Sequence, residues 1–316
     1  MPDFLQDLGD GIHAVDTGFQ RDHFDAAYLL VENGRAAFID TGTNHAVPRL
    51  LGALQALGLP VEAVDWVIPT HVHLDHAGGA GLLMDSLPQA RLLVHPRGAR
   101  HLIDPSALYQ GALAVYGQEE MERSYGRLLG VPAERVTSSE DGLRVQLGGR
   151  ELLLLDTPGH ARHHHCIWDA KSRGCFTGDT FGLSYREFDT ERGAWIMPTS
   201  TPVQFEPEAL VASIERLLAL GPEQMFLTHY GRVGEVERLA ELLLAQIGAM
   251  VALAQGLRGH AQRHEALKNG LRELYLDGLA RHGCRLPRER QEQLLAMDIE
   301  LNAQGLGVWL DKTAAA

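Results

Sequence analysis

Between residues 26 and 228 the chain repeatedly sets a short apolar run against a turn marked by Gly or Pro. The runs are 26–32, 35–40, 65–69, 91–94, 151–156, 166–169, 174–177 and 224–228, each four to seven residues long. Runs of that length, closed by turn residues, predict strands with buried faces. Helical spacing appears at 47–57, which stops before Gly58, at 80–87, and at 207–220, which opens on Pro207 and stops at Gly221-Pro222. After Gly234 the strand signals vanish. Leu267, Leu271, Leu274, Tyr275 and Leu279 share one helical face, as do Leu294, Met297 and Leu301. The pattern predicts an α/β body over 1–234 and two or three amphipathic helices over 235–316 packed on it. Residues 104–143 are assigned to a helical insertion holding 117–129. No internal repeat interrupts this order.

Composition narrows the classes. The 316 residues are 45% hydrophobic and 22% charged, as in ordinary globular proteins. The formal charge of −13 is uneven, with 30 acidic and 18 basic side chains over 1–234 and 11 against 10 over 235–316. That acid excess argues against a phosphate-backbone-binding surface, so no nucleic-acid partner is expected. Three cysteines without a C-x-x-C pattern argue against a disulfide scaffold and for a reducing compartment. The first residues have neither the basic start nor the apolar stretch of a secretory signal, and no apolar run approaches the ~20 residues of a membrane helix. A cytoplasmic protein with no membrane partner is the expectation.

The chemistry concentrates in Pro69-Thr70-His71-Val72-His73-Leu74-Asp75-His76-Ala77-Gly78-Gly79, directly after the apolar run 65–69 and before the helical run 80–87. Three imidazoles and a carboxylate within six residues suit zinc, iron or manganese, and the absence of thiolates argues against a closed structural zinc site. Three further segments each put a His or Asp just past a predicted strand: Asp156-Thr157-Pro158-Gly159-His160, Thr177-Gly178-Asp179-Thr180 and Leu227-Thr228-His229-Tyr230-Gly231. A single such residue is an ordinary turn former. Four sites in series at the ends of buried strands predict convergence on metal.

With these motifs the sequence resembles the metallo-β-lactamase superfamily, in its glyoxalase-II-like hydrolase branch, over residues ~10–234. Within that branch it is similar to an uncharacterised prokaryotic subgroup, through His71 to Gly81 and through Val94-His95-Pro96-Arg97-Gly98-Ala99. The resemblance implies a four-layer αββα sandwich as catalytic domain, with the C-terminal helices as an extension. It implies that His71, His73 and His160 hold one ion, that Asp75, His76 and His229 hold a second, and that Asp179 bridges them. Asp40 and His164 would stand behind the ligands and orient them. Two divalent ions are implied, zinc first, with iron or manganese as alternatives.

The implied activity is hydrolysis of a small thioester, ester, lactone or related molecule by a bridging hydroxide. Asp75 is also a candidate proton shuttle, and Tyr185 and Tyr230 are candidate donors to the oxyanion or leaving group. No serine or cysteine is placed beside a histidine with a third residue to orient it, Ser184 and Cys166 included. The competing activity is that of a persulfide dioxygenase, which looks similar at His71 to His76 but uses one iron held by two His and one Asp. The neutral tail does not match the nucleases of the superfamily, nor the basic and tyrosine pattern of the glyoxalase II tail. Its apolar stripes are expected to shape the substrate pocket or a homodimer interface.

Overall fold

The computed structural model describes residues 1–200 and 203–315. These form two compact units, each built from separate stretches of chain. The first holds Met1–Asp156, His163–Gly178 and Pro222–Arg232, and the second holds Thr157–Arg162, Asp179–Gly221 and Val233–Ala316.

In the first unit, seven strands lie side by side in chain order: β1 (Leu5–Gly9), β2 (Ile12–Asp16), β3 (Ala26–Glu32), β4 (Arg35–Ile39), β5 (Val64–Ile68), β6 (Arg91–Val94) and β7 (Val136–Ser138). The first four pair antiparallel and β4 to β7 run parallel. Parallel neighbours need crossovers, and helices supply them: α1 (Val47–Ala56), then α2 (Leu74–Ala77) with α3 (Ala80–Ser86), then α4 (Pro96–Ile103), α5 (Ser106–Tyr116) and α6 (Gln118–Glu120). A second sheet has β8 (Arg144–Leu147), β9 (Arg150–Asp156), β10 (His165–Asp169), β11 (Gly174–Gly178), β12 (Gln224–Leu227) and β13 (Gly231–Val233), in the order β13-β12-β11-β10-β9-β8.

Strand β4 shows why the central runs are apolar at every position. Ala36 and Phe38 join a core with Leu50 and Leu54 of α1 and Leu83 and Met84 of α3. Ala37 and Ile39, on the other face, join Leu152 and Leu154 of β9, Ile167 of β10, Phe176 of β11 and Phe226 of β12. Helices cover one face and the second sheet the other, so neither face has use for a polar residue. All eight predicted strands are present. Strands β1, β2, β7, β8 and β13 escaped prediction. Four of them, β1, β7, β8 and β13, end a sheet, and β7 has three residues and no fully buried one.

The insertion predicted over 117–129 is displaced. Its helical part starts at Ser106 and closes with a wide turn at Met121–Tyr125, and Gly117 and Gly126 stand at the breaks with φ of +79° and +68°. Left-handed backbone at those two positions favours glycine.

The second unit carries α7 (Pro207–Leu218), α8 (Val236–Gly256), α9 (Arg263–His282) and α10 (Arg288–Ala315). On α9 the predicted face is buried at Leu267, Leu271, Tyr275 and Leu279. On α10 only Leu294 of the predicted stripe is buried: Met297 is 39% exposed and Leu301 half-buried, and the buried apolar set is Leu294, Leu295, Ile299, Ala303, Leu306, Trp309 and Leu310. The reason is that two polar residues, Asp298 and Asn302, occupy the buried stripe. Contrary to the sequence expectation, α8 is long and apolar enough to cross a membrane by length and composition. Its buried positions, Val236, Leu239, Ala240, Leu243, Gln246, Ile247, Met250 and Ala254, recur every three or four residues, the spacing of a helix with one face in a protein core.

Candidate metal centre

Strand β5 ends at Ile68, and the chain then passes through Pro69 and Thr70 to His71. Asp40, one residue past β4, anchors this stem. Its Oδ1 accepts from Thr70 N at 2.7 Å and from Thr70 Oγ1 at 3.0 Å, and its Oδ2 accepts from Thr228 Oγ1 at 2.8 Å. The same Oδ2 lies 2.9 Å from His76 Nδ1. A carboxylate only accepts, so Nδ1 carries the ring proton and Nε2 is left basic.

His229, just past β12, is set by the same logic. Its Nδ1 is 3.0 Å from the Phe24 carbonyl, which leaves Nε2 basic. Asp75 Oδ2 lies 3.4 Å from His229 Nε2 and 3.7 Å from His76 Nε2. Donor atoms of Asp75, His76 and His229 all fall within 4.8 Å of one another. Two unprotonated imidazole nitrogens and a carboxylate oxygen facing one point, each histidine tied through its other nitrogen, is the donor set of a divalent metal.

His71 and His73 meet beside this group, with His71 Nε2 2.6 Å from His73 Nδ1. Thr70 Oγ1 lies 3.2 Å from His71 Nδ1; with its proton given to Asp40, its oxygen accepts there and Nε2 is again the basic atom. His164 is fully buried and stacks on the His71 ring at 4.9 Å. Gly178 follows from that packing: a Cβ there would come within 2.6 Å of both Thr70 Oγ1 and His164 Nε2. In the second unit, His160 Nε2 and Asp179 Oδ2 are 3.3 Å apart, and both residues are buried.

The histidine run 163–165 does not gather on one point: His163 and His164 both stack on the His71 ring, at 6.2 and 4.9 Å, while His165, the first residue of β10, faces elsewhere. His163 stands edge-on to the His73 ring, His164 lies against His71, and His165 turns to Ser139. This last contact corrects the sequence expectation that no serine meets an oriented histidine: Ser139 Oγ is 2.6 Å from His165 Nδ1, and His165 Nε2 is 2.9 Å from the Pro69 carbonyl. Both residues are buried, so no substrate reaches them. The other candidate nucleophiles are engaged: Ser184 Oγ donates to the Trp195 carbonyl, and Cys166 is fully buried in β10. Tyr185 is buried with its hydroxyl donating to Asp298, and Tyr230 lies in the core between the sheets.

The sequence reading passed over Thr70, Thr228, Phe24 and Asp25. Thr70 and Thr228 each immediately precede a site histidine, a signal that was legible in Pro69-Thr70-His71 and Leu227-Thr228-His229. Asp25 left no such trace. Burial pushes its carboxyl up to about 7, against the pull of the His229 and His76 rings, and Thr17 Oγ1 donates to it at 2.9 Å.

Comparison with known proteins identifies the family. The sequence profile described as "Metallo-beta-lactamase superfamily" matches residues 22–229. A metallo-beta-lactamase fold-containing protein of Sulfurisphaera tokodaii is 25% identical over 83% of this chain and 97% of its own length. The crystal structure of the archaeal protein superposes with a TM-score of 0.67 over 94% of this chain and 98% of that one, at 22% identity. An acyl-coenzyme A thioesterase of Homo sapiens is 29% identical over 54% of this chain and 64% of its own. A hydroxyacylglutathione hydrolase of Acidiphilium cryptum is 28% identical over 64% and 62%. Two mixed sheets with helices, the motif order and the profile together place the chain: it belongs to the metallo-beta-lactamase superfamily and is one of its metal-dependent hydrolases.

Proposed function

We propose that this chain is a dinuclear hydrolase of small-molecule thioesters or closely related esters. The observation that carries the reading is the convergence of Asp75, His76 and His229, with both histidines presenting Nε2 because Asp40 and the Phe24 carbonyl hold Nδ1. In the proposal His71, His73 and His160 would hold one ion and Asp75, His76 and His229 the other, and Asp179, whose donor atom groups with those of His71 and His76, would serve both. Bound divalent ions would supply a water activated near neutral pH and an electrophile for the developing oxyanion.

The protein's own contribution is geometric. Thr70 and Asp40 fix the stem of the histidine loop, and Phe24 fixes His229, so the donor atoms are aimed before any ligand arrives. Asp75, 25% exposed at its side chain while His76 is closed off, can carry a proton toward a leaving group on the carboxylate oxygen that does not face the two histidines. Tyr185 and Tyr230 receive no step, since both are buried and Tyr185 is committed to Asp298. The relatives named as an acyl-coenzyme A thioesterase and a hydroxyacylglutathione hydrolase support a thioester as substrate.

The test is metal analysis of protein purified without chelator, together with turnover of acyl-coenzyme A and acyl-glutathione thioesters in ¹⁸O-water. About two ions per chain, with label in the product acid and no trapped acyl-enzyme, is the expected result. One iron per chain with oxygen consumption on a persulfide would replace the hydrolase by a dioxygenase.

A further inference from the structure

We propose that His165 is a positioning residue for the metal-binding loop: held by Ser139, it fixes the peptide from which His71 and His73 project. The proposal rests on the metal-centre reading and adds to it a residue with no ligand spacing of its own.

His165 opens β10 and ties two successive carbonyls immediately before His71. Its backbone N–H donates to Thr70 O at 2.9 Å. Its Nε2 lies 2.9 Å from Pro69 O. A carbonyl oxygen only accepts, so Nε2 carries the ring proton and Nδ1 accepts from Ser139 Oγ at 2.6 Å. Ser139 is itself anchored, its N–H donating to Val94 O at the end of β6 at 2.8 Å. From another direction Asp40 takes the Thr70 N–H and hydroxyl. The stem is therefore held through its carbonyls by His165 and through its donors by Asp40, and His71 is the next residue.

That arrangement has the character of a support for ligands. Metal affinity depends on ligand atoms held to a fraction of an ångström, and residues that fix ligands from behind are worth about tenfold to a hundredfold in affinity. Burial keeps the imidazole neutral at ordinary pH, so the donor-acceptor pattern is constant. Nearby His95 stays apart, its ring 6.4 Å from that of His165 and bonded to Asp156 through Nε2 at 3.1 Å. Ser139 and His165 look like a nucleophile and base, but burial of both and commitment of Nε2 to the backbone assign them to the scaffold.

The experiment titrates metal-free full-length protein with Zn²⁺ against a chromophoric chelator, with circular dichroism and thermal melts in parallel. Glutamine can donate to Pro69 O and accept from Ser139, whereas leucine can do neither. In His165→Leu, zinc affinity falls by about tenfold to a hundredfold in protein that remains folded. His165→Gln recovers most of it, and Ser139→Ala weakens it by a smaller factor. Wild-type zinc affinity in folded His165→Leu, or a glutamine variant as weak as the leucine variant, overturns the proposal. If the leucine variant does not fold, Ser139→Ala decides: lowered affinity at an unchanged melting temperature upholds the proposal, and unchanged affinity overturns it. A wild-type chain that takes up no zinc overturns the metal-centre reading itself, a distinct outcome.

Discussion

Asp40 Oδ2 and His76 Nδ1 sit 2.9 Å apart with both side chains closed to solvent. That one contact chooses the tautomer of His76 and turns its Nε2 toward Asp75 and His229. The same carboxylate holds Thr70 and Thr228, so a single residue off the end of β4 links the loops after β5 and β12.

Replacing it has two expected consequences. Asp40→Ala leaves the Thr70 N–H, the Thr228 hydroxyl and the His76 N–H without their acceptor in a buried place, at about 1–3 kcal/mol for each group left unsatisfied. It should also weaken metal binding at Asp75, His76 and His229 by about tenfold to a hundredfold. Chelator competition and urea unfolding measure the two effects separately. Full retention of both metal equivalents would show that Asp40 does not orient His76.

Chelation should abolish thioester hydrolysis, and added zinc should restore it. Asp75→Ala is expected to retain about one equivalent of metal and to lose turnover by several orders of magnitude, since activated water and electrophile are both compromised. Elemental analysis of the variant beside wild type is the check. A variant with unaltered metal content and rate would defeat the two-ion assignment.

The buried histidines should cost the metal-free protein stability as pH drops below neutrality, against the opposite contribution of Asp25, whose carboxyl, raised from 3.8 to about 7, takes up in the folded chain a proton that the unfolded chain refuses. Burial lowers the His165 pKa from 6.5 to about 3, and burial also lowers those of His13, His95, His101 and His282. Unfolded chains take up protons near pH 6.5 that the folded chain refuses, so the contribution is fully present above 6.5 and is lost toward pH 3. Urea midpoints at pH 7.5 and 5 measure the slope, and His165→Gln should flatten part of it. A slope that His165→Gln leaves unchanged would contradict the neutral buried tautomer.

Asn302 of α10 has no solvent exposure, and its side chain reaches four groups, the Ser200 hydroxyl at 3.1 Å among them. Oδ1 accepts from Ser200 N at 2.6 Å, and Nδ2 donates to Tyr275 Oη at 2.8 Å and to Pro198 O at 3.3 Å. Asn302→Leu should destabilise the protein by about 2–5 kcal/mol, the sum expected when several buried partners lose their bond. Truncation after residue 256 goes further, removing the partners of Ser200 and of Tyr185, both in the segment that follows Asp179. The truncated chain should therefore lose metal as well as stability. A remnant with full metal content and activity would leave the tail no part in ordering that segment.

The sequence by itself determined the local part of this protein. The central strands other than β2 were legible because burial on both faces makes every position apolar, as at Ala36, Ala37, Phe38 and Ile39, whereas β2, buried throughout, carries His13 and Asp16. The candidate donors were legible because imidazoles and carboxylates crowded after apolar runs have few other uses. Only tertiary structure decided what holds them. Asp40 meets Thr228 across 188 positions, Ser139 meets His165 across 26, and Tyr185 meets Asp298 across 113. A hydrogen bond between residues so far apart follows no period of two or 3.6, so nothing in the local pattern announces it. The edge strands and the α10 stripe were missed for a related reason. A strand with one side open needs no apolar run, and a helix can bury Asp298 and Asn302 once distant partners satisfy them.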